Sequence, residues 1–304
     1  MNSVIVENII KTYGKKKDVT ALSDISFEVP QGELFGVIGP DGAGKTSLFR
    51  ILTTLLLADS GKAIVDGFDV VKDYKAIRKR VGYMPGKFSL YPDLSVEENL
   101  DFFATIFNTS IEKNYDLIKD IYVQIEPFKK RKAGKLSGGM KQKLALSCAL
   151  IHRPSVLFLD EPTTGVDAVS RKEFWEMLKG LKEQGITILV STPYMDEAAL
   201  CDKVALIQNG KILSINTPQG IVNSFSNPLL AVKSNHMLHL LNELQELDAV
   251  KDAYPFGEYH HVVLKEESGL AELKQLISAR KNENASIEEV KPDIEDCFIA
   301  LMKN

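Results

Sequence analysis

The glycine-rich segment "GPDGAGKT" constrains the fold of this chain more than any other stretch. It lies within residues 35–57, between an apolar run typical of a buried strand and a helix with apolar residues at 3.6-residue spacing. In that setting it matches the phosphate-binding pattern G-x-x-x-x-G-K-[ST]. Its glycines let the backbone curl so that successive N–H groups and the helix N-terminus face a polyanion. The segment therefore predicts a phosphate site at the end of a buried strand.

The side chains at the end of this loop have separate predicted tasks. Lys45 would reach the β- and γ-phosphates of a nucleotide, and Thr46 would be a ligand of Mg²⁺. The residues that we predict to bind the nucleotide here are Gly39, Pro40, Asp41, Gly42, Ala43, Gly44, Lys45, Thr46 and Ser47.

A second apolar strand ends in two acids within "VLFLDEP". Asp160 is placed to hold the magnesium shell, and Glu161 is placed to orient or deprotonate an attacking water. An apolar strand that ends in two acids is weak evidence by itself, because many sheet ends carry solvated charges. Together with the glycine loop, it predicts a nucleoside triphosphatase.

Continuous apolar runs at residues 155–160 and 186–191 each follow helical sequence. Such runs are typical of parallel strands that are buried on both faces of a sheet. Between residues 86 and 150 the helix signals increase: Ser95 and Glu98 form a capping-box pattern, and a long helix is predicted from Gly139 towards Ile151. After the last strand, the acidic segment that follows Pro193 is expected to form an amphipathic helix, and Asn209-Gly210 then predicts a hairpin.

Composition excludes several classes of protein. The 304 residues allow one large and one small domain, and a net charge of -4 gives no overall attraction to nucleic acid or anionic lipid. The densest basic stretch, Lys11–Lys17, is expected to be a solvated loop, so we expect no nucleic-acid partner.

The cysteines, Cys148, Cys201 and Cys297, are expected to be reduced and structural, which fits a cytoplasmic location. No leader or spanning segment is apparent, so a membrane role would come through a partner.

The composition changes near Ser226-Asn227-Pro228, which predicts one domain at 1–225 and a second at 228–304. The second domain is predicted to be a small ferredoxin-like α+β unit. Its elements would be strands at 229–234, 249–255, 260–265 and 285–290, and helices at 236–246, 269–280 and 292–302. His260 and His261 would point to opposite faces of their strand, so they cannot form one metal site.

A third motif narrows the class of nucleoside triphosphatase. "KLSGGMKQKL" places Ser137, Gly138 and Gly139 at the start of a helix, where a hydroxyl and free N–H groups can bind another phosphate. With this motif the chain resembles the ATP-binding-cassette (ABC) ATPases, whose signature is L-S-G-G-Q, over about residues 1–220. The resemblance implies a P-loop cassette: a parallel-sheet core with an antiparallel β subdomain and a helical subdomain at about 86–150.

The resemblance also implies further residues and partners. Tyr13 would stack on adenine, and Asp167 in "GVDAVSR" would belong to the loop between two nucleotide sites. The cofactors would be ATP and Mg²⁺. Two cassettes would face head to tail, each ATP lying between the glycine loop of one and the signature of the other.

The chain departs from the family pattern at two positions. The family's third strand ends in a histidine that contacts the γ-phosphate, and this chain has Pro193 there; its five histidines lie elsewhere. The family also has a glutamine that touches Mg²⁺ and water, and this chain has Gly86 at that position. Because such groups typically contribute about 10² to 10⁴ in rate, we predict that the chain's own site binds MgATP but hydrolyses it slowly. The intact signature would then complete the site of a different cassette, so a heterodimer is favoured over a homodimer.

The details resemble the ATP-binding subunits of type-2, drug-resistance-type exporters, particularly the first cassette of tandem-cassette exporter ATPases. That implies a peripheral position on the inner face of the cell membrane, bound to a separate multi-helix permease. Residues 86–107 would form the docking surface; Phe88, Leu90 and Tyr91 are either contacts or packing residues of the helical subdomain. The second domain could serve regulation, dimer contact or docking, without preference.

Two other functions remain open from the sequence. A regulatory subunit that binds ATP as a clamp without hydrolysing it would also lack the glutamine and the histidine. A soluble cassette protein, such as a ribosome-bound translation factor, usually carries two cassettes in one chain. A chromosome-maintenance ATPase is excluded, because only 92 residues separate Lys45 from Ser137 and leave no room for a long coiled coil. The transported substrate meets the permease, so it cannot be deduced from this chain.

Overall fold

The structure, a computed structural model, describes residues 1–15, 18–87, 89–279 and 284–303. Phe88, a predicted docking contact, and part of the Lys11–Lys17 segment lie outside these ranges. By contacts the chain divides into an N-terminal unit, Met1–Gln219, and a C-terminal unit, Gly220–Asn304. The division precedes the change of composition near Ser226 by a few residues.

The N-terminal unit contains ten strands and six helices among the described residues, and a seventh helix includes the division between the units. The strands are β1 (Asn2–Tyr13), β2 (Val19–Pro30), β3 (Leu34–Ile38), β4 (Ser60–Val65), β5 (Phe68–Asp69), β6 (Val81–Met84), β7 (Val156–Asp160), β8 (Thr187–Thr192), β9 (Lys203–Gln208) and β10 (Lys211–Asn216). The helices are α1 (Lys45–Leu52), α2 (Tyr74–Ile77), α3 (Val96–Ile106), α4 (Ile111–Tyr122), α5 (Gly138–Leu150), α6 (Ala168–Glu183) and α7 (Pro218–Asn223).

A six-stranded sheet forms the centre of this unit, in the order β10-β9-β3-β8-β7-β6. The pairs β3–β8, β7–β8, β3–β9 and β6–β7 are parallel, and every residue of β3, β7 and β8 is buried. The predicted parallel sheet with two covered faces is confirmed. Phe49 of α1 packs edge-on against Phe158 of β7, which holds the helix that begins at the glycine loop on the sheet.

The remaining parts of the unit also match the implied cassette architecture. A four-stranded antiparallel sheet has the order β2-β1-β4-β5, and α3, α4 and α5 form a helical part. Ser95 and Glu98 make both hydrogen bonds of the predicted capping box. The hairpin between β9 and β10 turns at Asn209 and Gly210, which both have positive φ, as a type I′ turn requires.

One local prediction is wrong. The acidic segment after Pro193 was expected to form an amphipathic helix, but Met195–Leu200 is a short 3₁₀ helix. Its Glu197 side chain is buried and bound by neighbouring segments, so tertiary contacts determine its conformation.

The C-terminal unit has a βαββαβ arrangement followed by a last helix, which confirms the predicted order of elements. The elements are β11 (Leu229–Lys233), α8 (Met237–Glu246), β12 (Val250–Phe256), β13 (Tyr259–Leu264), α9 (Leu270–Ala279), β14 (Ser286–Glu289) and α10 (Ile294–Met302). The strands form an antiparallel sheet in the order β12-β13-β11-β14. Its main core lies between the sheet and α8 and α9. Across the described ranges, no helix has both the length and the apolar character needed to cross a bilayer.

Candidate functional site

The glycine loop connects β3 to α1, and close packing requires glycine at both of its ends. A Cβ atom on Gly39 would lie 2.1 Å from the carbonyl oxygen of Ile207. Gly44 has φ of 106°, and a Cβ there would lie 2.3 Å from the carbonyl oxygen of Ala21. The Gly39 amide donates to the carbonyl of Thr192 at 3.2 Å, which attaches the loop to the end of β8.

Lys45 is held inside the loop. Its side chain is only 3% exposed, and Nζ donates to the carbonyl oxygens of Gly39 at 2.7 Å and Pro40 at 3.0 Å. Nζ also lies 3.1 Å from Glu161 Oε1. The ammonium group is therefore fixed at the centre of the loop, next to the predicted catalytic acid.

The predicted magnesium ligands meet at the ends of β7 and α1. Thr46 Oγ1 donates to Asp160 Oδ1 at 3.2 Å, and Ser191 Oγ donates to the same oxygen at 2.7 Å. Mg²⁺ prefers oxygen ligands and usually binds only one or two protein groups besides water and phosphate oxygens. A hydroxyl and a carboxylate beside a phosphate loop therefore fit this ion.

Glu161 has an unusual backbone conformation, with φ of 51°. Its amide donates to both the carbonyl and the hydroxyl of Ser191, each at 3.0 Å. These contacts fix the turn that directs its carboxylate towards Lys45. A strained residue that its neighbours hold in place is typical of a functional site.

Of the two positions that depart from the family pattern, Gly86 borders this cluster and Pro193 follows a strand that contributes Ser191 to it. A Cβ atom on Gly86 would lie 3.0 Å from the Asp160 carbonyl and 3.7 Å from the Glu161 Cβ. Pro193 directly follows Thr192, whose carbonyl binds the glycine loop. Neither residue has a side chain that can bind water or phosphate by hydrogen bonds.

The signature residues and Asp167 form a second group at two neighbouring helix starts. Ser137 caps α5, and Asp167 caps α6 by accepting from the Ser170 amide at 3.0 Å, which lowers the pKa of that carboxyl. Gly139 packs against Ser170, because a Cβ there would lie 2.7 Å from its hydroxyl. Within the described part of the chain, Ser137, Gly138, Gly139 and Asp167 make no hydrogen bond or ion pair with the Gly39–Thr46 loop.

Tyr13 lies beside the first turn of α1. Its hydroxyl is 3.0 Å from Ser47 Oγ, and the residue is 39% exposed. The ring is therefore next to the loop and partly exposed, with Lys11 Nζ over it at 5.7 Å from the ring centroid.

Glu197, which no sequence motif predicted, connects three segments of the site. This carboxylate is 2% exposed and accepts from Thr192 Oγ1 at 2.5 Å and Thr163 Oγ1 at 2.8 Å. It also pairs with Arg171 at 3.1 Å. It thus fixes the end of β8, the turn after Glu161 and the first turns of α6. Glu197 is part of the segment "YMDEA", but nothing in the sequence predicted that its side chain is buried.

Replacing Glu197 with alanine should lower the free energy of unfolding of the N-terminal unit by about 3 kcal/mol, because it leaves buried donors and part of the Arg171 charge unpaired. Urea denaturation followed by fluorescence of Trp175, the only tryptophan, reports this unit. Asp196→Ala is the matched control: Asp196 pairs with the same arginine but its side chain is 76% exposed, so it should cost less than about 1 kcal/mol. Equal losses for the two variants would contradict the role of Glu197.

A cavity of about 650 Å³ has Gly86, which stands at the position of the family's glutamine, in its wall. Its lining includes Arg50, Tyr83, Gly86, Leu90, Phe107 and His152. Burial, reinforced by the Asp160 charge, raises the pKa of Tyr83 to about 12, while burial lowers the pKa of His152. His152 stacks on Phe107 and its Nε2 is 3.0 Å from the Val81 carbonyl oxygen, so it has a structural role.

Comparisons with known proteins give one family. Residues 22–164 match the family model described as ABC transporter. The chain is 38% identical over 305 residues to the probable multidrug ABC transporter ATP-binding protein YbhF of Escherichia coli, covering 99% of this chain and 52% of that protein. It therefore spans about half the length of that relative.

Two further proteins are similar to this chain over most of their own length. The doxorubicin resistance ATP-binding protein DrrA of Mycobacterium tuberculosis is 32% identical over 316 residues, which cover 98% of this chain and 93% of that protein. A solved structure described as the ATP-binding subunit of an ABC transporter superposes with a TM-score of 0.66 at 25% identity, covering 73% of this chain and 92% of that one.

Proposed function

The chain belongs to the ABC transporter family of ATP-binding proteins, and from this premise we propose that it is the ATP-binding subunit of an exporter. In this role it would bind MgATP and drive a separate membrane permease. The multidrug and doxorubicin-resistance names of the two relatives support export, but those names describe those proteins and leave the substrate of this chain open. The single observation that supports ATP binding best is the cluster of Lys45, Thr46, Asp160 and Glu161 around the glycine loop.

Each residue of this cluster has a task in the proposed reaction. The loop amides and Lys45 would hold the phosphates, for which Lys45 must exchange its contact with Glu161 for the β- and γ-phosphate oxygens. Thr46 and Asp160 would hold Mg²⁺, which neutralises charge that develops on the phosphates. Glu161, once released from Lys45, would accept a proton from the attacking water. Tyr13 would stack on the adenine.

We propose that this chain hydrolyses ATP slowly at its own loop. Gly86 lies beside Asp160 and Glu161, and Pro193 directly follows β8, the strand whose Ser191 binds both acids. Neither side chain can orient water. Ser137, Gly138, Gly139 and Asp167 are grouped at two helix starts of the kind that can bind a phosphate from another subunit. These features favour a heterodimer in which this chain completes the site of a second, competent cassette.

The 650 Å³ cavity is the proposed docking site for the permease. Its apolar walls include Leu90, which is buried, while the adjacent Tyr91 is 47% exposed. A helical segment from a membrane subunit could bury its apolar side chains here. Docking of this kind would place the chain on the inner face of the membrane as a peripheral subunit.

A regulatory subunit that binds ATP without turnover is the second candidate. Gly86 and Pro193 favour it, because they stand in place of the family's glutamine and histidine and neither side chain can assist the chemistry. A soluble ABC ATPase without a permease has no comparable feature in its favour.

Steady-state MgATP hydrolysis by the purified chain, compared with Glu161→Gln, tests MgATP binding and the slow-site proposal. We expect both proteins to bind MgATP and the unmodified chain to hydrolyse it no more than a few times faster than the variant. A rate about a hundredfold above the variant would contradict the slow-site proposal, and a lack of MgATP binding would contradict the proposed function itself.

A further inference from the structure

The C-terminal unit contains a cavity of about 320 Å³ between α10 and the sheet. One face of this sheet is covered by α8 and α9. The other face is covered by α10, a helix of nine residues, and by a small apolar cluster that includes Tyr254 and Val263. The short helix leaves part of this face accessible. The cavity lies at the lower end of the size range of small-molecule sites.

A β-bulge gives the cavity its polar wall. The pairing of β12 with β13 shifts between Val250 and Asp252, and Lys251 is the extra residue. Val250 packs in the core against the helices, whereas Lys251, Asp252 and Tyr254 line the cavity on the other side. Regular alternation would place Val250 and Asp252 on the same face. Bulges commonly redirect side chains in this way at binding sites.

The two lysines of the lining differ in their partners. Lys303 forms an ion pair with Asp252, which neutralises it. Lys251 Nζ donates to Asn227 Oδ1 at 3.0 Å, and the Asn227 amide group donates in turn to the carbonyls of Leu264 and Lys265. Across the parts of the chain that the structure covers, no carboxylate lies within ion-pair distance of Lys251. A neutral amide therefore positions an uncompensated positive charge at the cavity.

The rest of the lining is mainly apolar and includes Phe225, Val263, Ala300 and Leu301. We propose that this cavity binds a small amphipathic anion, with a hydrocarbon body against the sheet and α10 and a carboxylate against Lys251. A charge-assisted hydrogen bond at the mouth and apolar contact inside are the two interactions that such a molecule can satisfy together. The proposal does not depend on the ATPase function.

Binding would also affect α10. Tyr254, whose ring lines the cavity, donates its hydroxyl to Asp296 Oδ1 at 2.7 Å, and His261 Nδ1 lies 2.6 Å from the same oxygen. Asp296 is fully buried in the first turn of α10. These bonds anchor α10 to the sheet, so an occupant in contact with Tyr254, Ala300 and Leu301 would stabilise the anchored position of the helix. Occupancy of the cavity would thus be coupled to the docking of α10 on the sheet.

The test is calorimetric titration of the full chain with octanoate, and with octan-1-ol as the uncharged probe. We expect octanoate to bind at one saturable site with a dissociation constant below about 1 mM. Lys251→Gln should weaken octanoate binding by about tenfold and leave octan-1-ol binding unchanged. Lys233→Gln, which removes an exposed lysine outside the cavity, is the matched control and should have no effect.

Ala300→Trp, which fills the cavity, should abolish binding of both probes. The proposal would be overturned if octanoate shows no saturable binding up to about 10 mM, far above the expected constant. It would also be overturned if octanoate binds the Lys251→Gln and Lys233→Gln variants equally well. If the Ala300→Trp variant does not fold, the comparison of octanoate binding to Lys251→Gln and Lys233→Gln still tests the proposal.

Discussion

Replacement of Lys45 by methionine is expected to weaken MgATP binding to the isolated chain by about a hundredfold or more, which corresponds to roughly 2.8 kcal/mol. Nζ is held by two loop carbonyls at 2.7 and 3.0 Å and is almost inaccessible to water. A charge that is already positioned and shielded binds phosphate more strongly than a mobile surface lysine does. Methionine keeps most of the volume of the side chain but has no charge and no donor. Isothermal titration calorimetry with MgATP measures the loss.

The control for Lys45→Met is Lys182→Met. Lys182 also pairs with a carboxylate, Asp202 at 2.7 Å, but lies near the C-terminal end of α6. This variant should bind MgATP as the unmodified chain does. If Lys45→Met retains the fold by circular dichroism and binds MgATP within threefold of the unmodified chain, the glycine loop is not the ATP site.

The sequence predicted those parts of the fold whose signals are local. β3, β7 and β8 are continuous apolar runs, and the C-terminal elements alternate clearly between strand and helix patterns. β6 was not predicted, because the four residues "VGYM" are too few for a periodic pattern and include a glycine. It forms because β7 provides a parallel partner for it.

The sequence motifs predicted the residues at the centre of the candidate site. They did not predict the side chains that bind those residues and hold them in place. The positions of Lys45, Thr46, Asp160 and Glu161 follow from spacing within strand–loop–helix segments. Ser191, which binds both Asp160 and Glu161, comes from a different strand, so its contact depends on the order of strands in the sheet. The same holds for Asp296, whose partners lie on β12 and β13.

The combined replacement of Gly86 by glutamine and Pro193 by histidine is expected to raise MgATP hydrolysis about a hundredfold over the unmodified chain. A side chain at position 86 would start 3.7 Å from the Glu161 Cβ, so its amide can reach the space in front of that carboxylate. Its Cβ would lie 3.0 Å from the Asp160 carbonyl, which requires a shift of only a few tenths of an ångström. An imidazole at position 193 would extend from the end of β8, where Thr192 holds the glycine loop. Initial rates at saturating MgATP measure the gain.

The two replacements should act as a unit, because both would orient the same water and phosphate. We therefore expect each single variant to gain much less than the pair. Glu161→Gln in the doubly replaced chain should remove the gain, since the oriented water still needs a base. Gly180→Gln, at a position of α6 with open space around it, controls for an added glutamine and should leave the rate unchanged. A double variant that remains as slow as the unmodified chain, while binding MgATP normally, would mean that Gly86 and Pro193 are not what limits this site. The slow rate would then have to arise from the geometry of Glu161 itself, which has a positive φ and is held by its contact with Lys45.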